Sequence, residues 1–315
     1  MNILEYMKEH LLLLDGGMGT LLQAKGLKPG EMPERWNLSH PDVIENIHRA
    51  YYAAGSHVVS TNTFGANCLK FSEDELEQII RAGVQLAKNA REKEENGAPR
   101  FIALDMGPTG KMLKPFGDMD FEDAVEVFAK TVRIGAACGV DLILIETMND
   151  SLETKAAVLA AKENSTLPVF VSNAYGADGK LMTGASPAAM VAMLEGLGVD
   201  VLGANCSLGP RQLRGVMEEL LANASVPVLL KPNAGLPRSV DGKTVYDVLP
   251  DEFAKEVSVL LGEGVRLAGG MRERKRTTDL SRRVPIYRAS RSAAFPKVRY
   301  TKDMQRQGYT ILCPQ

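Results

Sequence analysis

Three short clusters in this chain carry side chains that could do chemistry. Asp15-Gly16-Gly17-Met18-Gly19-Thr20 packs three glycines into five residues. Such a turn lets backbone N–H groups approach a ligand closely and seat a small carboxylate. It lacks the lysine of a phosphate-binding P-loop, and a glycine turn that merely caps a helix is the other reading. Ile145-Glu146-Thr147-Met148 sets one carboxylate after an apolar run. A buried Glu146 needs a cationic or hydrogen-bonding partner, either the ammonium group of a bound amino acid or a basic side chain of the core. Gly203-Ala204-Asn205-Cys206-Ser207 ends another apolar run with a lone cysteine, a candidate metal ligand or else an inert small core residue.

These clusters belong to a larger pattern. Eight apolar runs cover residues 11–15, 57–64, 101–106, 141–148, 168–175, 200–206, 227–234 and 265–270, and each ends in polar or glycine-rich residues. Near-continuous Val/Ile/Leu segments are the signature of parallel strands covered on both faces. Helical patterns lie between them over 41–54, 74–92, 121–138, 151–163, 187–197, 210–221 and 250–261, with Ser39 as the expected cap of the first. Pro187, Pro210 and Pro250 suit first-turn positions, where a missing N–H costs nothing. Strand and helix alternating through eight strands predict a single (β/α)₈ TIM barrel over residues 1–270, with its chemistry at the C-terminal ends of the strands.

Composition narrows the class. The 315 residues can bury one large core, and no apolar stretch approaches the roughly 20 residues of a membrane span. The N-terminus lacks the basic and small-residue pattern of a signal peptide, and the four cysteines (Cys68, Cys138, Cys206, Cys313) form no disulfide framework, so a cytoplasmic protein is expected. The net charge of −2 is uneven: residues 271–315 hold twelve Lys/Arg against three Asp/Glu, leaving 25 against 36 in residues 1–270. The basic segment has no amphipathic period, so we expect a disordered or irregular tail rather than a nucleic-acid or membrane arm, with the eighth helix missing.

Taken in order, Asp15-Gly-Gly-Met-Gly-Thr20, Thr61-Asn-Thr-Phe-Gly65, Gly107-Pro-Thr-Gly110, Glu146-Thr147, Gly203-Ala-Asn-Cys-Ser-Leu-Gly-Pro210, Lys231-Pro-Asn-Ala-Gly235 and Gly269-Gly270 resemble the homocysteine S-methyltransferase family. The resemblance is to the homocysteine-binding barrel of cobalamin-dependent methionine synthase and its free-standing bacterial relatives. It implies a zinc enzyme, with three cysteine thiolates holding the metal and the homocysteine sulfur in the fourth position as a thiolate ready to take a methyl group. That arrangement matches an open catalytic zinc site. It further implies that Cys206 is a metal ligand, that Asn233 approaches the metal when substrate is absent, and that Glu146 binds the substrate ammonium. Asp15, Gly16, Gly17 and Ser207 would hold the rest of the amino acid. The methyl donor it suggests is methylcobalamin on a separate corrinoid protein, or on cobalamin and folate modules, although a sulfonium or betaine also fits.

The sequence departs from the family where the metal should be. Met271 and Arg272 occupy the positions of the paired cysteines, and neither can act as a thiolate. The abrupt change to arginine-rich sequence at this point suggests a shifted reading frame, in which the ATG of Met271 followed by a CGN codon yields cysteine one nucleotide later. Two readings therefore stand beside each other: a homocysteine S-methyltransferase, and an impaired barrel that at most binds the amino acid weakly. A barrel of other chemistry that binds an amino acid without metal is the third.

Overall fold

A computed structural model describes residues 2–94, 97–235, 237–240, 243–246 and 248–270. The expected barrel is present. Its strands are β1 (Leu12–Leu13), β2 (Val58–Ser60), β3 (Phe101–Met106), β4 (Leu142–Met148), β5 (Val169–Asn173), β6 (Val201–Cys206) and β7 (Val228–Pro232). A hairpin of β8 (Pro237–Val240) and β9 (Lys243–Tyr246) follows, and β10 (Leu267–Ala268) is the eighth barrel strand. All ladders within the barrel are parallel, in the order β1-β10-β7-β6-β5-β4-β3-β2. A parallel bridge between Leu14 and Val58 brings the first strand to the second and completes the ring.

The helices are α1 (Ile3–Glu9), α2 (Met18–Ala24), α3 (Trp36–Ser39), α4 (Pro41–Ala53), α5 (Glu73–Glu92), α6 (Phe121–Ala137), α7 (Ser151–Asn164), α8 (Pro187–Gly196), α9 (Arg214–Asn223) and α10 (Pro250–Glu263). Two expectations about helix starts are corrected. Ser39 does not cap α4; it ends α3, its hydroxyl donates to the Arg35 carbonyl, and His40 takes the cap position without a side-chain bond. Pro210 lies in a turn before α9, which begins four residues later. Pro187 and Pro250 do occupy first-turn positions. The tail with its missing eighth helix, and Met271 and Arg272, lie outside the described residues.

Alternation along each strand builds two apolar layers. Ile102, Leu104, Ile143, Ile145, Val171, Leu202 and Leu230 face outward to the helices. Leu12, Leu14, Val58, Phe101, Ala103, Leu142, Leu144, Phe170, Val201, Leu229 and Leu267 fill the barrel interior. The lower end is closed by α1, a helix the sequence reading did not anticipate. Ile3, Tyr6 and Met7 join the interior cluster, and the Arg266 guanidinium donates to the Met7 carbonyl. Carrying the inward positions one step beyond the apolar layer reaches Ser60, Asp105, Glu146, Asn205 and Lys231, all buried. The period-2 geometry of strands thus stacks a polar layer on an apolar plug at the end where barrel enzymes work.

One buried group on the outer wall has a measurable consequence. His48 of α4 is fully buried, and neither ring nitrogen has a hydrogen-bond partner among the described residues. Burial pushes its pKa down to about 4, only partly opposed by Glu45, whereas an unfolded histidine titrates near ~6.5. Its contribution to stability is complete above about pH 6.5 and is lost as the pH falls toward 4, because the unfolded chain then binds the extra proton. The loss is about 3 kcal/mol for a shift of this size. Urea unfolding at pH 7 and pH 4.5 should show a smaller acid loss for His48→Leu than for the unsubstituted chain. Equal losses would show that His48 is not the group responsible.

Candidate functional site

The polar layer opens into a cavity of about 230 Å³, room for a small ligand. Asp15, Gly16, Gly17, Glu146, Cys206 and Asn233 all line it, drawn from the ends of β1, β4, β6 and β7. Ser207 does not. Its hydroxyl donates to the Tyr175 carbonyl at 2.9 Å, and it is not part of the cavity wall. The wall also carries Ser60, Asp105 and Lys231, to which the sequence reading assigned no role.

Local backbone geometry sets the rim. Cys206 and Ser207 are both left-handed, with φ of 59° and 47°, and Thr147 has φ of 63°. Non-glycine residues in this region cost roughly 1–2 kcal/mol each and concentrate at functional sites. Side-chain bonds hold these turns. Asn205 donates to the Thr147 hydroxyl at 2.7 Å, and its Oδ1 accepts from the Thr147 N–H at 2.8 Å and from the Ser172 hydroxyl at 2.9 Å. One buried amide therefore ties together the tops of β4, β5 and β6, and with them the positions of Glu146 and Cys206.

The floor is a charge cluster. The Lys231 ammonium donates to Glu146 at 2.8 Å and lies 3.6 Å from Asp15, with all three side chains almost fully buried. Asp15 in turn accepts from the Ser60 N–H at 2.7 Å and the Ser60 hydroxyl at 3.0 Å. Glu146 thus has the core lysine as its cationic partner in this structure. Burial pushes Asp15 up to about 6 despite Lys231 and the Ser60 bonds. Burial also works against the charge on Lys231, but Glu146, Asp15 and Asp105 outweigh it and hold the ammonium above its ordinary range. Burial first, then Glu146, raises Asp105 well above the usual carboxylate range.

Two glycines make room for this arrangement. A Cβ on Gly16 would fall 2.6 Å from the Tyr51 hydroxyl and 2.8 Å from the Gly270 carbonyl, so the first turn packs against both. A Cβ on Gly269 would lie 2.8 Å from Cγ of Lys231, so this glycine leaves space for the lysine stem. Farther out, the Gly107-Pro-Thr-Gly110 loop is fixed by buried Glu153, which accepts from the Thr109 N–H at 2.8 Å and its hydroxyl at 2.5 Å. Asn62 holds its own loop by donating to the Pro33 carbonyl and to Asn37 Oδ1.

The family model of homocysteine S-methyltransferase matches residues 12–271. The chain belongs to the homocysteine S-methyltransferase family. It is 33% identical over 288 residues to methionine synthase of Mycobacterium tuberculosis and 32% identical over 286 residues to that of Mycobacterium leprae. Each match takes in 85% of this chain but 24% of the relative, so the chain spans about a quarter of the length of these curated relatives. In fold it resembles the homocysteine methyltransferase MmuM from Escherichia coli. The metallated form of that protein gives a TM-score of 0.76 at 22% identity, over 89% of this chain and 98% of that one. The apo form gives 0.72 at 23% identity, over 88% and 97%.

The family implies zinc, and the donors present can be set against that expectation. Cys206 lines the cavity as a free, partly exposed thiol. Asn233 lines it too, and its Oδ1 is buried without a hydrogen-bond partner among the described residues. That orphaned oxygen is free to serve as a donor. A catalytic zinc site needs three protein ligands. Among the described residues, no group of three or more His, Cys, Asp or Glu could hold a metal ion. The donors among the described residues do not make a tight zinc site. No described helix is long and apolar enough to cross a membrane.

Proposed function

We propose that this chain is a homocysteine-binding barrel whose pocket serves methyl transfer to the homocysteine sulfur, giving methionine. The observation that carries this reading is the buried polar layer of Asp15, Ser60, Asp105, Glu146 and Lys231 beneath Cys206, within a chain of the homocysteine S-methyltransferase family. In this reading the Gly16-Gly17 backbone receives the substrate carboxylate, Glu146 and its neighbours face the ammonium, and the thiol reaches the rim at Cys206. Ser207 contributes through its main chain, because its hydroxyl is bonded to Tyr175. The methyl donor is a cobalamin-bearing protein or module that docks over the mouth. The methionine synthase relatives, three quarters of whose length this chain does not span, support that choice. We place the reaction in the cytoplasm, in keeping with three described cysteines that are free thiols.

Zinc activation does not follow from the residues present. A second reading follows from Met271 and Arg272 in the cysteine-pair positions: an impaired barrel that keeps the amino-acid pocket with at most weak binding. It is favoured here by the two-donor edge of Cys206 and Asn233. Calorimetry tests the function. L-homocysteine should bind saturably at one site per chain and be displaced by L-methionine. A titration showing no saturable heat with either amino acid would contradict the assignment.

A further inference from the structure

Three carboxylates meet at the base of the cavity, and two of them are already engaged. Glu146 accepts from Lys231 at 2.8 Å. Asp15 accepts two bonds from Ser60 and has Lys231 3.6 Å away. Asp105 differs. It lines the same cavity and is 7% exposed, yet its buried Oδ1 has no hydrogen-bond partner among the described residues. Its backbone is fixed on both sides: the Asp105 N–H donates to the Thr61 hydroxyl at 3.1 Å, and its carbonyl accepts from the Thr63 hydroxyl at 2.8 Å. The side chain follows Phe101 and Ala103 on the inward face of β3, so it cannot turn away to solvent without distorting the strand. A buried carboxylate oxygen without a donor is costly, and the deficit persists until a donor arrives.

Carboxyl groups also outnumber cations there. Among the described lining residues, Asp15, Asp105 and Glu146 share one lysine, and Glu34, buried in the same wall, accepts from the Gly65 N–H at 2.7 Å. A ligand that brings one ammonium group supplies both a missing cation and a missing donor.

We propose that Asp105 receives the α-ammonium of the amino-acid substrate beside Glu146, which is also the counter-ion of Lys231. This rests on reading the cavity as an amino-acid site. It makes Asp105 a specificity residue, which separates homocysteine from thiols of the same length that lack the amino group. Lys231, held between Glu146 and Asp15, then orients the acidic wall rather than contacting the ligand.

The test compares L-homocysteine with 4-mercaptobutyrate, its des-amino analogue, by calorimetry on the full chain. The unsubstituted chain should prefer homocysteine. In Asp105→Asn, which keeps the shape, homocysteine affinity should fall roughly 10- to 100-fold, as expected on losing a charge-assisted bond, with 4-mercaptobutyrate unchanged. Thermal melting checks that the variant folds; should it melt early, Asp105→Ser supports the same comparison. If the unsubstituted chain binds homocysteine and either folded variant keeps the same preference, the role of Asp105 is overturned while the pocket assignment stands. That outcome also follows if a water or inorganic cation occupies the free oxygen. Failure of the unsubstituted chain to bind homocysteine overturns both.

Discussion

Replacing Met271 and Arg272 together with cysteine should turn a barrel that holds little zinc into one that holds close to one ion per chain. The two positions follow Gly270, whose N–H donates to the Asp15 carbonyl at 3.4 Å at the cavity edge. Thiolates introduced there would join Cys206 to make three sulfur donors with one position open, the count a catalytic zinc site requires. A bound zinc ion would hold an incoming thiol deprotonated at neutral pH. Methyl transfer to homocysteine, assayed with a methylcobalamin protein or a methylsulfonium as donor, should rise by roughly 1,000-fold, equivalent to ~4 kcal/mol of barrier. Adding Cys206→Ser to the double variant should remove both the zinc and the gain. If the double variant binds no more zinc than the parent, the 271–272 segment does not belong at the rim beside Cys206.

The largest stability effect is expected at Lys231. Lys231→Met keeps the length of the stem that Gly269 accommodates but removes the cation shared by Glu146 and Asp15. Breaking a buried pair by deleting one partner typically costs about 3–5 kcal/mol, because the remaining charge is stranded. Without the cation, Asp15, already raised by burial, would rise further above its unfolded value, so the folded form would bind more protons. The penalty should therefore be full near neutral pH and shrink as the pH falls toward 5. Urea unfolding at the two pH values measures both effects. A loss under about 1 kcal/mol at neutral pH would show that water already solvates the cluster.

The barrel was legible because buried parallel strands leave continuous apolar runs. Leu142–Ile145 and Val228–Leu230 are such runs, and each ends at the residue that enters the cavity. Helix α1 was not legible: seven residues span barely two turns, too few to stand out as a periodic segment, and only tertiary placement shows that Ile3, Tyr6 and Met7 plug the barrel. Ser39 and Pro210 misled because good capping and first-turn residues also occur in the short turns that precede helices. At the site, the glycine clusters and the lone cysteine pointed to residues that the fold brings to one cavity: Asp15, Glu146, Cys206 and Asn233. Asp105 and Lys231 were given no role although a signal existed. Each is a charged residue two positions beyond an inward apolar one, Ala103 and Leu229, the same relation that Glu146 bears to Leu144. Ser207 went the other way: its hydroxyl satisfies the Tyr175 carbonyl, a pairing between loops far apart in sequence that no local pattern encodes.

In the proposed reading the mouth of this barrel is an amino-acid site with its sulfur end at Cys206. A crystal structure of the chain soaked with L-homocysteine decides it. The ammonium group should lie within hydrogen-bond distance of Asp105 or Glu146, the carboxylate on the Gly16-Gly17 backbone and the sulfur beside Cys206. Homocysteine bound elsewhere, or seated with its sulfur against Lys231 and its ammonium in solvent, would contradict it.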